Sequence, residues 1–425
     1  MRKYTGLLLL LLTLPLSAFE RQPSADYRAR RVKLAEKAGS GFVVLFAATE
    51  DEGQNATRGF RQGNDFYYLT GWAEPGAALV IAPATDTRAY SEILFLPAQN
   101  VSQEKWTGPK LAADAADAPK RTGVDRVVVL DELRNTLVKM LPSPAVTIYT
   151  ADASSPAVAW LRRANAFPNY VSFAEAAPLI AELRVTKDAG ELALLRKAAN
   201  GTVAAHRTAM RTVRPGMSEN ELAGIIEAEF RRHGAEGPAF SSIVGSGFNS
   251  TVLHYSANSG TMKDGDLVVL DIGGEYSMYA SDVTRTLPVS GKFTPRQREI
   301  YELVLGAQRA AIEAFRPGVS TIGRTAPSSL YHVALAYLNE RGYGKYFIHG
   351  LSHYVGLEVH DAGDGARPLT PGAVFTIEPG IYIPEESLGV RIEDTYLVKE
   401  DGTLECLSCG APKAIADVER AIAAR

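Results

Sequence analysis

The phrase Arg214-Pro215-Gly216-Met217-Ser218 returns as Arg316-Pro317-Gly318-Val319-Ser320, each time between a long helical pattern and a following one. A repeated turn in a repeated context points to an internal duplication. Asp188 with Glu191 opens a helical pattern running to about Val213, and Ser218 with Glu221 opens a second ending at Gly234. Thr294-Pro295-Arg296-Gln297 opens a third, and all three are capping-box starts or close variants, the last with proline at the first helical position. After each second helix a glycine, Gly234 or Gly342, closes the element, and hairpin-like pairs of apolar runs follow. The pattern predicts an α+β region of two αα-ββ halves packed face to face, with a site where their loops and strand ends converge.

With 425 residues the chain exceeds what one core usually supports. Short apolar runs at Phe42 to Ala48, Ala77 to Ala82, Ile93 to Pro97, Arg126 to Leu130 and Ala145 to Thr150 alternate with polar, helix-like stretches. They predict buried strands of an α/β unit. We divide the chain into an N-terminal domain, residues 27–180, and a second domain, residues 181–425. Residues 1–18 read as a secretory signal peptide: Arg2-Lys3, an apolar run from Gly6 to about Leu16, then Ser17-Ala18. The run is shorter than the roughly 20 apolar residues that span a bilayer. Leu16 sits poorly for cleavage after Ala18, which leaves an uncleaved anchor as the alternative. Export, periplasmic or extracellular, is the expectation, with no membrane attachment after cleavage.

The 45 basic and 48 acidic side chains give a formal charge of -3, which lacks the electrostatic footprint of a nucleic-acid or anionic-membrane binder. Two cysteines, Cys406 and Cys409, exclude a disulfide framework and a cysteine-based zinc cluster. They read as an oxidised structural pair, with a redox or metal role as the alternative. Arg30-Arg31 and Leu130-Asp131-Glu132 read as solvated surface.

Carboxylates stand where strands should be apolar. Leu267-Val268-Val269-Leu270 runs into Asp271, with Asp282 eleven positions later, and an antiparallel hairpin would let the two face each other. Val374-Phe375-Thr376-Ile377 runs into Glu378, with Glu393 fifteen positions on. Four carboxylates in one pocket repel one another and lose hydration unless cations neutralise them, so metal binding is the economical explanation. The segment His349-Gly350-Leu351-Ser352-His353 continues to His360-Asp361, placing three of the seven histidines within twelve positions. His206, His233 and His332 lie in helical stretches and read as surface or packing residues. Oxygen-rich ligation with one imidazole suits two divalent ions of the manganese, cobalt, iron or zinc kind. Such a pair, about 3.5 to 4 Å apart, activates water and polarises a carbonyl, so hydrolysis is the leading chemistry.

The order Asp271, Asp282, His353, Glu378, Glu393, with His254-Tyr255 and Ile243-Val244-Gly245-Ser246-Gly247 upstream, resembles the pita-bread metallopeptidases, family M24. That family includes aminopeptidase P, prolidase and methionine aminopeptidase. The resemblance covers roughly residues 180 to 415 and extends to flanking motifs: Asp271-Ile272-Gly273, Ser281-Asp282-Val283-Thr284-Arg285-Thr286, Ile377-Glu378-Pro379-Gly380 and Arg391-Ile392-Glu393-Asp394. Phe60-Arg61-Gln62-Gly63-Asn64-Asp65-Phe66-Tyr67-Tyr68-Leu69-Thr70-Gly71 looks like the N-terminal domain of aminopeptidase P, which methionine aminopeptidases lack. Leu351-Ser352 before His353 also looks closer to aminopeptidase P than to prolidase, where glycine usually stands at the position of Ser352. Phe240 departs from the tyrosine common in aminopeptidase P relatives, and the segments before His349 and between Glu378 and Glu393 look short.

The resemblance implies an α/β N-terminal domain followed by an α+β pita-bread (creatinase/aminopeptidase) catalytic domain with internal two-fold duplication. It implies that Asp271 and Asp282 hold one ion, that Asp282 and Glu393 bridge, and that His353 and Glu378 complete the second. Manganese is the expected ion, with cobalt, zinc or iron as alternatives. Glu378 is the implied general base. His254 and His360 would flank the scissile carbonyl, with His349 nearby at the substrate, and Arg391 would orient Asp271. The implied reaction releases the N-terminal residue from peptides whose second residue is proline, a residue without the N–H that many peptidases use for recognition. A prolidase acting on X-Pro dipeptides is the alternative. A metal-free binding protein or a creatinase-like amidinohydrolase on the same fold fits a full ligand set poorly. A homo-oligomer, dimer or tetramer, is expected.

Overall fold

The computed structural model describes residues 19–55, 59–84, 91–141, 146–151, 159, 161 and 171–424. The segment read as a signal peptide lies outside them.

The N-terminal domain begins with α1 (Ser24–Ala38), β1 (Phe42–Phe46), α2 (Asn64–Thr70), β2 (Ala78–Ala82) and β3 (Ser91–Leu96). It continues through α3 (Val101–Thr107), β4 (Arg126–Val129), α4 (Leu133–Met140), β5 (Val146–Thr150) and β6 (Val171–Glu175). The sheet runs β4-β3-β2-β1-β5-β6, with β1 antiparallel to β2 and parallel to β5. Every residue of Ala78–Ala82 is buried, as an unbroken apolar run requires when both faces of a sheet are covered. Leu34, Tyr67 and Leu69 cover one face with Val43 and Leu45, while Leu133 and Leu137 cover the other with Phe42 and Val80. All five predicted strands are present. The sixth, Val171–Glu175, was not anticipated, because Ser172 and Glu175 interrupt its apolar residues.

Arg30 and Arg31 correct the sequence reading: they are buried, not solvated. Arg31 grips Glu92 through both guanidinium arms, at 2.5 and 2.9 Å, and donates to the carbonyls of Leu69 and Gly123. A buried arginine is tolerated only when so paired. Its partner lies 61 positions away, beyond any local pattern.

α5 (Ala177–Arg184) leads into the second domain, so a boundary drawn at residue 180 falls inside a helix. α6 (Ala189–Thr212) opens with the predicted capping box, Asp188 and Glu191 each bonding the other's backbone N–H. The second oxygen of Asp188 accepts from Arg30 at 2.6 Å, so the cap of this helix is also a clasp to α1.

The first half continues with α7 (Glu219–Arg232), β7 (Ile243–Ser246), β8 (Leu267–Ile272), β9 (Gly274–Tyr276), β10 (Tyr279–Ala280) and β11 (Val283–Pro288). The second half comprises α8 (Pro295–Ala314), α9 (Leu330–Asn339), β12 (Val374–Ile377), β13 (Gly380–Ile383), β14 (Leu388–Arg391), β15 (Asp394–Val398) and β16 (Leu404–Cys406), before a final α10 (Ile415–Ala423). Three-stranded sheets β7-β8-β11 and β12-β15-β16 form the cores of the halves.

The repeated phrase does the same work twice. Gly216 N–H donates to Met262 O and Met262 N–H to Met217 O; Gly318 N–H donates to Leu369 O and Leu369 N–H to Ser320 O. Met262 and Leu369 each stand nine positions before the carboxylates Asp271 and Glu378. The turn thus sets the register of the strand that carries each acid. The copies differ in how the next helix is capped: Ser218 caps α7 directly, whereas Ser329, not Ser320, caps α9.

The expected hairpins are more elaborate than a simple pair. A smaller hairpin, β9-β10, buds between β8 and β11, and β13-β14 buds between β12 and β15. The ladder pairs Asp271 with Thr284 and ends at Ile272 and Val283, leaving Asp282 one residue outside it. Glu378 and Glu393 likewise lie just beyond the Ile377–Asp394 pair. Cys406 and Cys409 form the anticipated disulfide. Among the described residues no helix is long and apolar enough to cross a membrane.

Candidate metal centre

The acids converge because each sits where a strand leaves or enters its ladder. Gly273 permits the sharp exit after Asp271, since a Cβ there would lie 1.7 Å from the carbonyl oxygen of Ser281. Glu393 N–H donates to Thr284 O and Glu378 N–H to Leu351 O, stitching the two halves and the histidine loop together. His353 Nε2 lies 3.4 Å from both Asp282 Oδ2 and Glu378 Oε1. Ligand atoms of Asp282, His353 and Glu393 all lie within 4.8 Å of one another. His353 Nδ1 faces the carbonyl of Tyr354 at 3.1 Å, which assigns the proton to Nδ1 and leaves the Nε2 lone pair turned toward the carboxylates.

The protein supplies this cluster with little positive charge. Arg391 donates to Asp271 Oδ2 at 2.7 Å, and Thr284 donates to Glu393 Oε2 at 2.8 Å. Burial, reinforced by Asp271 and Glu378, pushes Asp282 well above the usual carboxylate range. Burial and the neighbouring Asp282 do the same to Glu393, and burial raises Glu378 against the opposing pull of His353 and Arg391. Asp271 Oδ1, Asp282 Oδ1 and Glu393 Oε1 are buried with no hydrogen-bond partner among the described residues. Buried polar atoms are rarely left so. Three orphaned carboxylate oxygens beside an imidazole lone pair fit divalent cations.

The remaining predicted residues surround the cluster. His360 stacks on His353 with centroids 3.9 Å apart and planes inclined by 9°. Partial desolvation of a ring that keeps one side open to solvent, with His353 and His254 close by, lowers His360 to about 4, so it is neutral at pH 7. His254 is exposed on the turn after Gly247–Thr251, close enough to act on both His349 and His360. Arg391 is buried, so its bond to Asp271 is shielded from solvent. His349 lies beside the cluster, its Nδ1 3.9 Å from Glu378 Oε2. Its Nδ1 faces Gly350 O at 2.7 Å and its Nε2 faces the Tyr382 hydroxyl at 2.8 Å, so both ring nitrogens are engaged. Arg391 donates to that hydroxyl at 2.9 Å, which makes His349 the end of a relay that steadies Arg391.

Sequence reasoning missed Tyr382 and Thr284. Tyr382 sits in the apolar strand Gly380–Ile383 with nothing to mark it. Thr284 was legible, since two-residue periodicity from Asp282 points it to the same side.

Comparison with known proteins agrees with this geometry. Residues 193–400 match the metallopeptidase family M24 and residues 27–149 match the aminopeptidase P N-terminal domain. Xaa-Pro aminopeptidase of Escherichia coli (strain K12) is 37% identical, over 93% of this chain and 96% of its own. A human Xaa-Pro dipeptidase is 31% identical, over 97% of this chain and 94% of its own. Escherichia coli aminopeptidase P in complex with substrate superposes with a TM-score of 0.85 at 34% identity, covering 95% of this chain and 99% of that one. The chain belongs to the M24 pita-bread metallopeptidases, within their aminopeptidase P branch.

Proposed function

We infer that the protein is a metal-dependent exopeptidase that releases the N-terminal residue from peptides with proline in second position. The observation that carries the reading is the set of orphaned oxygens on Asp271, Asp282 and Glu393 beside His353, in a chain that matches an Xaa-Pro aminopeptidase over 93% of its length. The prolidase alternative rests on a more distant relative.

Asp271, Asp282, His353, Glu378 and Glu393 would hold two divalent ions. Bound there, the ions supply Lewis-acid polarisation of the scissile carbonyl and a water of lowered pKa. Manganese is the ion we propose, because four carboxylates and one imidazole form a hard, oxygen-rich set. Glu378, the ligand open enough to meet water at 18% side-chain exposure, takes the proton and passes it to the leaving proline nitrogen. That nitrogen leaves as a secondary amine and needs the proton. Neutral His360 retains one N–H to donate to the oxyanion, and exposed His254 completes the other side of the carbonyl. Arg391 fixes Asp271 through their 2.7 Å bond. The substrate's free amine would be met by the same metal and carboxylate cluster.

Residues 181–425 are the proposed catalytic unit and 27–180 its N-terminal partner. Export to a periplasm or the cell exterior is also proposed, supported by the Cys406–Cys409 disulfide, a bond that persists in oxidising compartments. A homodimer or tetramer is the proposed assembly, and α3, which buries no residue and leaves Trp106 89% exposed, supports one.

The test is hydrolysis of X-Pro, X-Pro-Y and X-Ala-Y peptides with added manganese and after chelation, with Glu378→Gln as control. Metal-dependent release of X from X-Pro-Y is expected. Cleavage confined to the dipeptide would mean prolidase, and none by metal-loaded protein would mean a binding protein.

A further inference from the structure

The loop from His353 to Asp361 carries the stacked histidines, and its far end is held by a device outside the metal cluster. Asp361 N–H donates to Tyr354 O at 2.9 Å, closing the loop on itself. The Asp361 side chain is 1% exposed, although its neighbour His360 is exposed. A buried carboxylate next to a site residue needs a paired cation. Asp361 has two. Lys187 Nζ lies 2.7 Å from Oδ2 and Arg184 Nη2 lies 2.5 Å from Oδ1, while Lys187 Nζ also donates to Arg184 O at 2.6 Å.

Arg184 reaches further. Its Nη2 donates to Glu358 of the same loop, and its Nη1 donates to Asp65 of the N-terminal domain, each at 2.8 Å. Arg61, four residues before Asp65, donates to Leu357 O at 2.7 Å while its Nε bonds Glu275. Gly356 leaves room for the arrangement, since a Cβ there would lie 2.1 Å from Asp361 Oδ2. The segment Arg61 to Asp65, conspicuous in the sequence and remote from the acids in the chain, thus closes over the outside of the histidine loop.

We propose that Arg184 and Lys187, braced by Arg61 and Asp65, are positioning residues that set the His360 ring by clamping Asp361. The physical reason is that the His360 ring has no hydrogen bond among the described residues and is held only by its stack on His353 and by its backbone. Catalytic groups need placement to within about 0.5 Å, which an exposed loop end does not provide unaided. The role of the clamp in turnover rests on the reading of His360 given above; its role in orientation does not.

The experiment uses the full-length, metal-loaded enzyme and the variants Arg184→Gln, Arg184→Lys and His360→Ala, singly and combined. Arg184→Gln is expected to lower kcat on X-Pro-Y by about tenfold or more, with KM and manganese content unchanged. Arg184→Lys restores part of the rate. In the His360→Ala background, Arg184→Gln adds less than about twofold, because residues acting as one unit are not additive. A multiplicative loss in that background, or loss of bound metal, overturns the proposal.

The second readout is histidine-ring NMR on zinc-loaded, histidine-labelled protein. The ring-current shifts of stacked His353 and His360 are expected to change in Arg184→Gln. Unchanged shifts overturn the clamp whatever the kinetics do. Shifts that move while His360→Ala keeps full activity uphold the clamp and refute the catalytic reading of His360. Should Arg184→Gln fail to fold, Asp65→Asn removes one brace from a partly exposed position and is read by the same shifts.

Discussion

Glu393 and Asp394 are consecutive and equally buried, yet they live in opposite electrical surroundings. Asp394 Oδ1 accepts from Arg285 and Ser408, and its Oδ2 accepts from Lys413 and Gln308. Burial would raise Asp394, but Arg285 and Lys413 outweigh it and hold the carboxyl below the usual range. Glu393 faces the other way, among carboxylates, with one oxygen bonded to Thr284 and the other unpartnered among the described residues. Two acids at the start of one strand therefore differ only in whether the protein supplies their cations. Where it does, the acid cements the two halves; where it does not, the deficit marks a place for ions from outside.

The largest effect expected from this contrast is on catalysis. Glu378→Gln, or chelation, should lower X-Pro-Y hydrolysis by about a thousandfold, within the range for a general base, while far-UV circular dichroism stays unchanged. A variant retaining a tenth of the activity would remove Glu378 from that role.

Stability should separate the two clusters next. Asp394→Asn leaves Arg285 buried and uncompensated and should cost about 3–5 kcal/mol in urea unfolding. Asp282→Asn, measured on chelated protein, relieves repulsion and should be neutral or stabilising. Equal losses at the two sites would end the comparison.

Arg391→Lys keeps the charge but not the reach to Asp271, Tyr382 and Thr284 together. Manganese affinity should fall by about 10–100-fold in a competitive titration. Wild-type affinity would show that the Asp271–Arg391 bond is incidental. Reduction of the disulfide, whose cysteines are three positions apart, should cost about 2 kcal/mol by the loop-closure relation. A greater loss in thermal unfolding would mean that the bridge also tensions the Asp394 cluster.

The smallest effect concerns acid. Burial raises Asp361, but Lys187 and Arg184 outweigh it, so its folded pKa lies below the unfolded value of about 3.9. The stability it contributes is fully present above that unfolded value and is lost as pH falls through the folded one. Asp361→Asn should flatten the acid limb of stability against pH below about 4. An unaltered limb would place the acid sensitivity elsewhere.

Much of the fold was legible. Five of the six strands of the N-terminal sheet announced themselves as apolar runs, and two helices as capping boxes at Asp188 and Thr294. The sixth strand was not, because Ser172 and Glu175 interrupt its apolar residues. The four acids came from one signal, a carboxylate where an apolar element should continue, and His353 from the clustering of three histidines within twelve positions. Arg31 and Glu92 failed that approach in reverse, since a charged pair in a helix and a strand looks like surface until the partner is known.

The sequence by itself determined the duplication, the buried strands, the helix caps and the identity of the acids and histidines, because each is written in neighbouring residues. Only the tertiary structure decided which acid meets a cation and which is left without one. It also decided that both ring nitrogens of His349 are occupied, and that a loop beside the site is clamped from another domain. The physical reason is distance along the chain. Asp65 and Arg184, Arg184 and Asp361, and Asp271 and Arg391 stand more than a hundred residues apart, and Coulomb's law acts on the space between charges, not on their order.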